Sequence, residues 1–277
     1  MFSLPSPKQT WRAVRAASDN NLGLVAAGVA FYAFLAFVPL LAALVLAYGL
    51  VADPATVSRH AQSLGTVLPS AAAELITDQL EAVTGADQGR TRLGLLLSLL
   101  AALWGASKGA KSIIIALNIV HHVEETRGFL GQTLTALLIT GATILSIVAA
   151  LAAITVFGFV ESLLPMMPLA LHTAVQLLFW VAAGLLGAAA MALIYRHAPH
   201  WEGASWRRLF PGALFATILW LAATFAFGLY VASFGNYNAT YGALGAVVVM
   251  LMWLYLSAYV LLLGAEVNEV RGASRVG

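Results

Sequence analysis

The chain has 277 residues, of which 61% are hydrophobic and only 9% are charged, with a formal net charge of +2 and no cysteine. A soluble domain of this size keeps roughly 25% of its side chains charged to hold its surface in water, so the composition argues against a soluble globule and points to lipid as the surrounding medium. Without cysteine there is no disulfide, CxxC zinc site, thiol nucleophile, S-palmitoylation or prenylation, and so small a net charge argues against a nucleic-acid surface.

Residues 1–21, with Lys8, Arg12 and Arg15, read as a cytoplasmic N-terminus. No charge then appears between Asp19 and Asp53. That run is about twice a secretory h-region and ends in the bulky Tyr48-Gly49-Leu50, a poor cleavage site, so an uncleaved first span is expected at 22–52. A helix rises about 1.5 Å per residue, and about 20 apolar residues cross a hydrocarbon core. With charged residues as fences, a second span falls at 93–118, interrupted by Lys108 and Lys111. A third falls at 129–160 and a fourth at 169–195, after Pro165 and Pro168. Leu209 to Ala265 carries no charge at all. It is too long for one crossing and has turn residues from Ser233 to Gly242, which gives spans at 209–232 and 242–265. The expected architecture is an all-α bundle of six transmembrane helices with a cytoplasmic tail at 266–277.

The segment 53–92 stands apart. Val57, Ala61, Leu64 and Leu68, then Leu75, Gln79, Leu80 and Val83, recur at roughly helical spacing on either side of Pro69. They read as two amphipathic periplasmic helices on the outer interface, made acidic by Asp53, Glu74, Asp78, Glu81 and Asp87. Covering the bundle is the first reading of this segment, and docking a periplasmic envelope partner the second. Lys and Arg placement sets the orientation. With the N-terminus inside, eleven of the 14 Lys and Arg residues are cytoplasmic, and only Arg59, Arg90 and Arg92 lie outside. The chain is therefore expected in the bacterial inner membrane with both ends in the cytoplasm.

Polar groups within spans are costly and mark candidate sites. Lys108, Lys111, Asn118 and His122 share one helical face, flanked by Trp104 and Ser107. They suit an anionic phospholipid or lipid-linked headgroup, or lysines that only snorkel to the interface. Glu266 is expected to pair with Lys108 or Lys111. His172 and Gln176 are a second candidate, either lining a polar cavity or bonding to a neighbouring helix. His121-His122-Val123-Glu124-Glu125 looks metal-like, but adjacent helical residues point about 100° apart and cannot close one tetrahedron; a solvated helix end is expected. Pro39, mid-span, predicts a kink beside Tyr32. Gly105-xxx-Gly109 and Gly184-xxx-Ala188 allow close helix contact, within the bundle or between protomers. No cofactor, metal set or catalytic constellation is expected, since paired carboxylates, H-E-x-x-H and a serine with an evident base are all missing from the spans.

Several stretches carry a family resemblance. Ala27-Gly-Val-Ala-Phe-Tyr-Ala-Phe-Leu-Ala-Phe-Val-Pro39 opens the first span, with Gly28, Tyr32 and Pro39. Ala116-Leu-Asn118 closes the second. Pro211-Gly-Ala-Leu begins the fifth, followed by Tyr237-Asn-Ala-Thr-Tyr-Gly-Ala-Leu-Gly-Ala246, with Tyr241, Gly242 and Gly245. Trp253-Leu-Tyr-Leu and Leu263-Gly-Ala-Glu266, with Gly264, fall in the sixth. Over about residues 10 to 270 the chain resembles the YihY/BrkB family. The resemblance implies a six-helix inner-membrane protein of the bacterial envelope, concerned with envelope integrity, serum resistance and lipid movement. The family's old label, ribonuclease BN, is tested by the histidines: His60, His121, His122, His172, His197 and His200 form no H-x-H-x-D-H cluster of the kind a zinc ribonuclease needs. Translocation of an anionic lipid is thus the leading expectation, and a non-catalytic envelope scaffold the alternative.

Overall fold

The structure, a computed structural model, describes residues 5–51, 88–142, 169–201, 205–233 and 243–273. Seven helices lie among them: α1 (Pro7–Asp19), α2 (Leu22–Val51), α3 (Gln88–Val120), α4 (Phe129–Ala142), α5 (Leu169–His197), α6 (Trp206–Ser233) and α7 (Ala243–Ala273). The described residues contain no strand. The fold is all-helical, as the hydropathy pattern predicts.

Four of these helices are long and apolar enough to cross a membrane: Leu93–Val120, Leu171–His197, Trp206–Val231 and Val247–Gly272. The bent pair formed by α1 and Leu22–Ala36, with 72° between them, makes a fifth when taken as one. The expected third span is described only as far as Ala142. At 26 to 28 residues the four helices rise about 40 Å against a core of about 30 Å. Their ends therefore extend beyond the hydrocarbon. The segment expected to form two interfacial helices falls almost wholly within 52–87, outside the described residues, as do Tyr241 and Gly242.

Two compact units make up the chain: Met1–Val29, Ala110–Leu229 and Tyr255–Gly277 form the first, Ala30–Gly109 and Tyr230–Leu254 the second. In the first, eleven of the 22 residues of the buried core are alanine, among them Ala13, Ala116, Ala192, Ala213 and Ala265. Since lipid tails are as apolar as leucine, helices in a membrane gain from close backbone approach rather than from burying large side chains. The large residues accordingly face outward: Leu178, Trp180, Leu186 and Phe225 are each more than 60% exposed.

Glycine makes the tightest crossings. In the second unit a Cβ on Gly105 would lie 2.8 Å from the Ala36 Cα, and one on Gly109 would touch Ala33 and Tyr32. The first small-residue pair is thus spent on contact between α2 and α3 within the chain. On α5 the register differs from expectation, for Gly184 faces open space while Gly187 meets Thr217 of α6. In the first unit a Cβ on Gly212 would run into the Gly264 carbonyl. One on Gly264 would strike the Tyr195 hydroxyl and lie 2.5 Å from the Ala216 Cβ. The Pro211-Gly and Gly264-Ala-Glu stretches therefore meet each other, and Tyr195 locks the crossing by donating its hydroxyl to the Leu261 carbonyl at 2.6 Å.

Helix extends beyond the apolar runs at both 7–19 and 266–273. Residues 7–19 form a capped amphipathic helix. Ser6 accepts from the Gln9 N–H while the Gln9 side chain accepts from the Ser6 N–H, a capping box, and Pro7 takes the first helical position where its missing N–H costs nothing. Ala13 and Ala17 are buried, while Trp11 is exposed. Asn21, at φ 52°, turns the chain into α2, a conformation asparagine tolerates better than most residues. Likewise 266–273 continues α7, with Glu266, Val267, Asn268 and Arg271 buried. These polar residues have partners inside the bundle, which a charge-based fence does not foresee.

Candidate functional site

In the first unit the end of α3, the starts of α4 and α6, the ends of α5 and α7, and the α1–α2 corner are joined by side-chain hydrogen bonds. Three knots make up this polar end.

The first closes α3. Helix α3 ends in a Schellman arrangement, in which Val123 N–H bonds to the Asn118 carbonyl and His122 N–H to that of Ile119. His122 holds the left-handed position at φ 51°, where glycine is the usual choice. The turn brings Glu125 back to the helix. Asn118 donates its amide to Glu125 at 2.9 Å and accepts the His200 N–H at 2.8 Å. Arg127 grips Glu125 through Nε and a terminal nitrogen, both at 2.7 Å, and reaches the Ala198 carbonyl at 2.8 Å. The guanidinium, with the Asn118 amide, holds the Glu125 carboxyl down at about 2 from its ordinary 4.5.

The second knot centres on Glu269. One of its carboxylate oxygens meets His121 Nδ1 at 2.9 Å and an Arg208 nitrogen at 3.3 Å. The His121 ring stacks on Trp201 with centroids 4.1 Å apart, and the Arg208 guanidinium lies 5.4 Å from the same indole. His121 Nε2 and Arg208 Nε are both buried with no hydrogen-bond partner. The expected solvated helix end is therefore corrected at His121, which is buried because an aromatic ring and a carboxylate cover it. Among the described residues no group of three His, Asp or Glu side chains is placed to hold a metal ion.

The third knot repairs α6. Pro211 lies inside that helix and removes one N–H from its ladder. The side chain of Asn268 then accepts the Gly212 N–H at 2.8 Å and donates to the Leu209 carbonyl at 2.9 Å, all three residues being buried. A buried amide that serves one peptide donor and one peptide acceptor cannot be truncated without leaving both unpaired. Asn268→Ala is expected to cost about 2 kcal/mol, read as a lower unfolding midpoint of the detergent-solubilised protein. An unchanged midpoint would mean that the amide does not clamp α6.

In the first unit Asn118, Glu266 and Lys111 take different partners. Asn118 and Glu266 are in the polar end, both buried. Glu266 accepts from Asn20 at 2.6 Å. Lys111 instead donates to Thr133 at 2.9 Å and rides 4.8 Å from the Phe129 ring, so in place of the anticipated Glu266–Lys111 pair each residue bonds a neutral partner on another segment. In the second unit Lys108 lies 5.6 Å from the Trp104 ring of its own helix, which is 60% exposed. His172 and Gln176 sit at the opposite end of α5 from His197, and His172 Nε2 is buried without a partner. Of the remaining motif positions, Gly28 has open space around it, Tyr32 packs edge-on against Phe31, and Gly245 is buried and Trp253 half-buried. α2 runs helical through Pro39, whose side chain is outside the described residues. Sequence reasoning passed over Asn20, Arg127, Trp201, Arg208, Asn268 and Glu269. The one signal available was their density at the borders of apolar runs, in Asn20-Asn21 and Asn268-Glu269.

Residues 13–276 match the family described as Virulence factor BrkB. The chain is similar to a protein of Bacillus subtilis (strain 168) named putative ribonuclease-like protein YfkH, at 34% identity over 210 residues, 73% of each chain. It is also similar to a UPF0761 membrane protein of Azotobacter vinelandii, at 42% over 100 residues, 36% of this chain and 24% of that one. A UPF0761 membrane protein of Tolumonas auensis is 38% identical over 88 residues, 32% of this chain and 29% of its own. The matched stretch thus spans only about a quarter of those two relatives. No solved structure matches.

Proposed function

Since this chain belongs to the Virulence factor BrkB family, a family of membrane proteins, we propose that it sits in the bacterial inner membrane with both ends cytoplasmic and assists the translocation of anionic lipids or lipid-linked molecules. The observation that carries this reading is that three cations on the apolar helices are each mounted on an aromatic ring. Lys111 rides on Phe129, Arg196 on Trp206 at 4.7 Å and, in the second unit, Lys108 on Trp104. All three rings are exposed, Phe129 by 76%. An exposed tryptophan ring favours the level of lipid headgroups, where a cation held above it meets their phosphates. Many large apolar side chains on the described helices are exposed, which suits contact with lipid.

Reconstituted in liposomes, the protein is expected to speed transbilayer movement of a labelled anionic phospholipid, and Lys108→Ala with Lys111→Ala to slow it several-fold. Rates equal to those of protein-free vesicles would end this reading. The scaffold alternative rests on residues 53–92 as a docking surface. A stoichiometric partner in mild-detergent pull-downs, lost when that segment is replaced, would favour it. We propose no ribonuclease activity. The word ribonuclease-like belongs to the Bacillus subtilis relative's name, and the polar end pairs its histidine and carboxylates with arginine, asparagine and tryptophan rather than leaving them converging on an open position.

A further inference from the structure

Helix α1 turns one face into the first unit and the opposite face out. At about 100° per residue, Ala13 and Ala17 set the inner face, and both are buried. Arg15 falls nearly opposite them, with Lys8 and Arg12 within about 60° of it on one side. Pro7, Trp11 and Val14 fall on its other side as an apolar edge. All six are exposed, Trp11 by 72%. The outward face is thus a basic strip beside an indole.

The three cations are uncommitted. Among the described residues Lys8, Arg12 and Arg15 take no hydrogen bond, ion pair or ring contact. Residues 1–18 contain no Asp or Glu. Asp19 follows Arg15 one turn later, exposed, at the end that joins α2, and no ion pair links the two. The helix that carries this face is held firmly. Its start is closed by the Ser6–Gln9 capping box, and at its end Asn20 donates to Glu266 at 2.6 Å. Its position follows from the next helix. Only Asn20 and Asn21 separate α1 from α2, a link of at most about 7 Å, and the 30 residues of α2 carry no charge. The two axes meet at 72°. With α2 as a crossing, α1 runs close to the plane of the bilayer surface at the foot of that crossing.

We propose that α1 docks on the membrane surface, with Trp11 and Val14 at headgroup level and Lys8, Arg12 and Arg15 drawing in anionic phospholipid. Tryptophan favours the headgroup level, and helices that lie on a membrane pair an apolar edge with Lys and Arg in this way. Each Lys or Arg brought near an anionic lipid surface favours binding by about fivefold. An acidic protein would also meet the cations, but the bilayer is already alongside, kept there by α2. The inference rests on the chain's place in a membrane and not on translocation.

The chain has no cysteine of its own, so Val14→Cys carries a single nitroxide label. The purified full chain is placed in nanodiscs of phosphatidylcholine, alone or mixed with phosphatidylglycerol, and collision of the label with a neutral, water-soluble nickel chelate is measured. Chelate access is expected to fall several-fold when phosphatidylglycerol is present. Lys8→Gln, Arg12→Gln and Arg15→Gln together are expected to shift the docking equilibrium by roughly a hundredfold and to restore access. Salt at about 1 M cuts the screening length to roughly 3 Å and is expected to do the same without any substitution, so it decides the matter if the triple variant fails to fold. Equal chelate access in the two kinds of disc overturns the inference. A label open in both would point to an acidic protein as the occupant, and one shielded in both to contact that ignores lipid charge. Docking without transbilayer movement would remove the translocation reading and leave this surface standing; movement with equal access in both discs would do the reverse.

Discussion

Replacing Gly264 with valine is expected to remove most of the folded protein from the membrane. The α6–α7 crossing has no room for a side chain at this position. A Cβ would strike the Tyr195 hydroxyl and lie 2.5 Å from the Ala216 Cβ and 2.8 Å from the Gly212 carbonyl oxygen. One of these is backbone and another a methyl fixed to it, so neither can rotate away. Overpacking of this kind costs about 3 kcal/mol or more, a large part of a total stability of roughly 5–15 kcal/mol. The helices would have to separate, and with them the Tyr195 bond to Leu261 and the Asn268 clamp on α6. The measurement is abundance in isolated membranes together with the unfolding midpoint in detergent. Gly28→Ala is the control, because nothing lies within 4 Å of its Cβ position; it is expected to stay within about 1 kcal/mol of the parent. If the two variants behaved alike, the close crossing would not exist.

The second large effect is expected at Arg127. Its guanidinium holds Glu125 at two points and also bonds Thr135 and the Ala198 carbonyl. Arg127→Met keeps most of the length but strands a carboxylate whose side chain is only 18% exposed. Losing charge-assisted bonds of this kind costs about 2–3 kcal/mol. Glu125→Gln in the Arg127→Met background is expected to recover part of that loss, so a double-mutant cycle reads a coupling between the two positions. Simple additivity would deny it. The pH dependence has a definite sign. The Glu125 carboxyl is depressed to about 2 in the folded protein from an ordinary 4.5. The stabilisation is therefore fully present above about pH 4.5 and is lost as the pH falls from there through 2. The parent protein should lose stability across that window with a slope that Arg127→Met lacks, because its Glu125 returns towards the ordinary value. Equal slopes in a non-ionic detergent would assign the acid sensitivity to other groups.

How the sequence was legible is clearest in span and loop. Long apolar runs bounded by charge predict the helices well, since crossing a bilayer demands about 20 apolar residues regardless of partners. Leu169–His197 and Trp206–Ser233 fall within three residues of the spans expected at 169–195 and 209–232. The same rule fails where a polar residue is satisfied by another helix. Glu266, Asn268 and Arg271 were fenced off as a tail, yet α7 continues to Ala273. A fence counts charges along the chain and is blind to Asn20 or Leu209, which lie far away in sequence and adjacent in space.

The candidate site shows the same division. Asn118 and Glu266 stood out in the sequence because they were polar among apolar neighbours. His121 and Arg208 did not, because a histidine or arginine beside a helix end is ordinary until an indole is found stacked on it. The grouping of Lys108, Lys111, Asn118 and His122 on one face followed from helical periodicity. It could not foresee that Lys111 turns to Thr133 while Asn118 turns to Glu125 and the His200 amide. By itself the sequence determined that this is an all-helical membrane protein with its polar residues pressed to the ends of apolar stretches, since those properties depend on composition and period alone. Only the tertiary structure decided which polar groups meet, because hydrogen bonds of 2.6–2.9 Å reach no further than the side chain that packing happens to bring alongside.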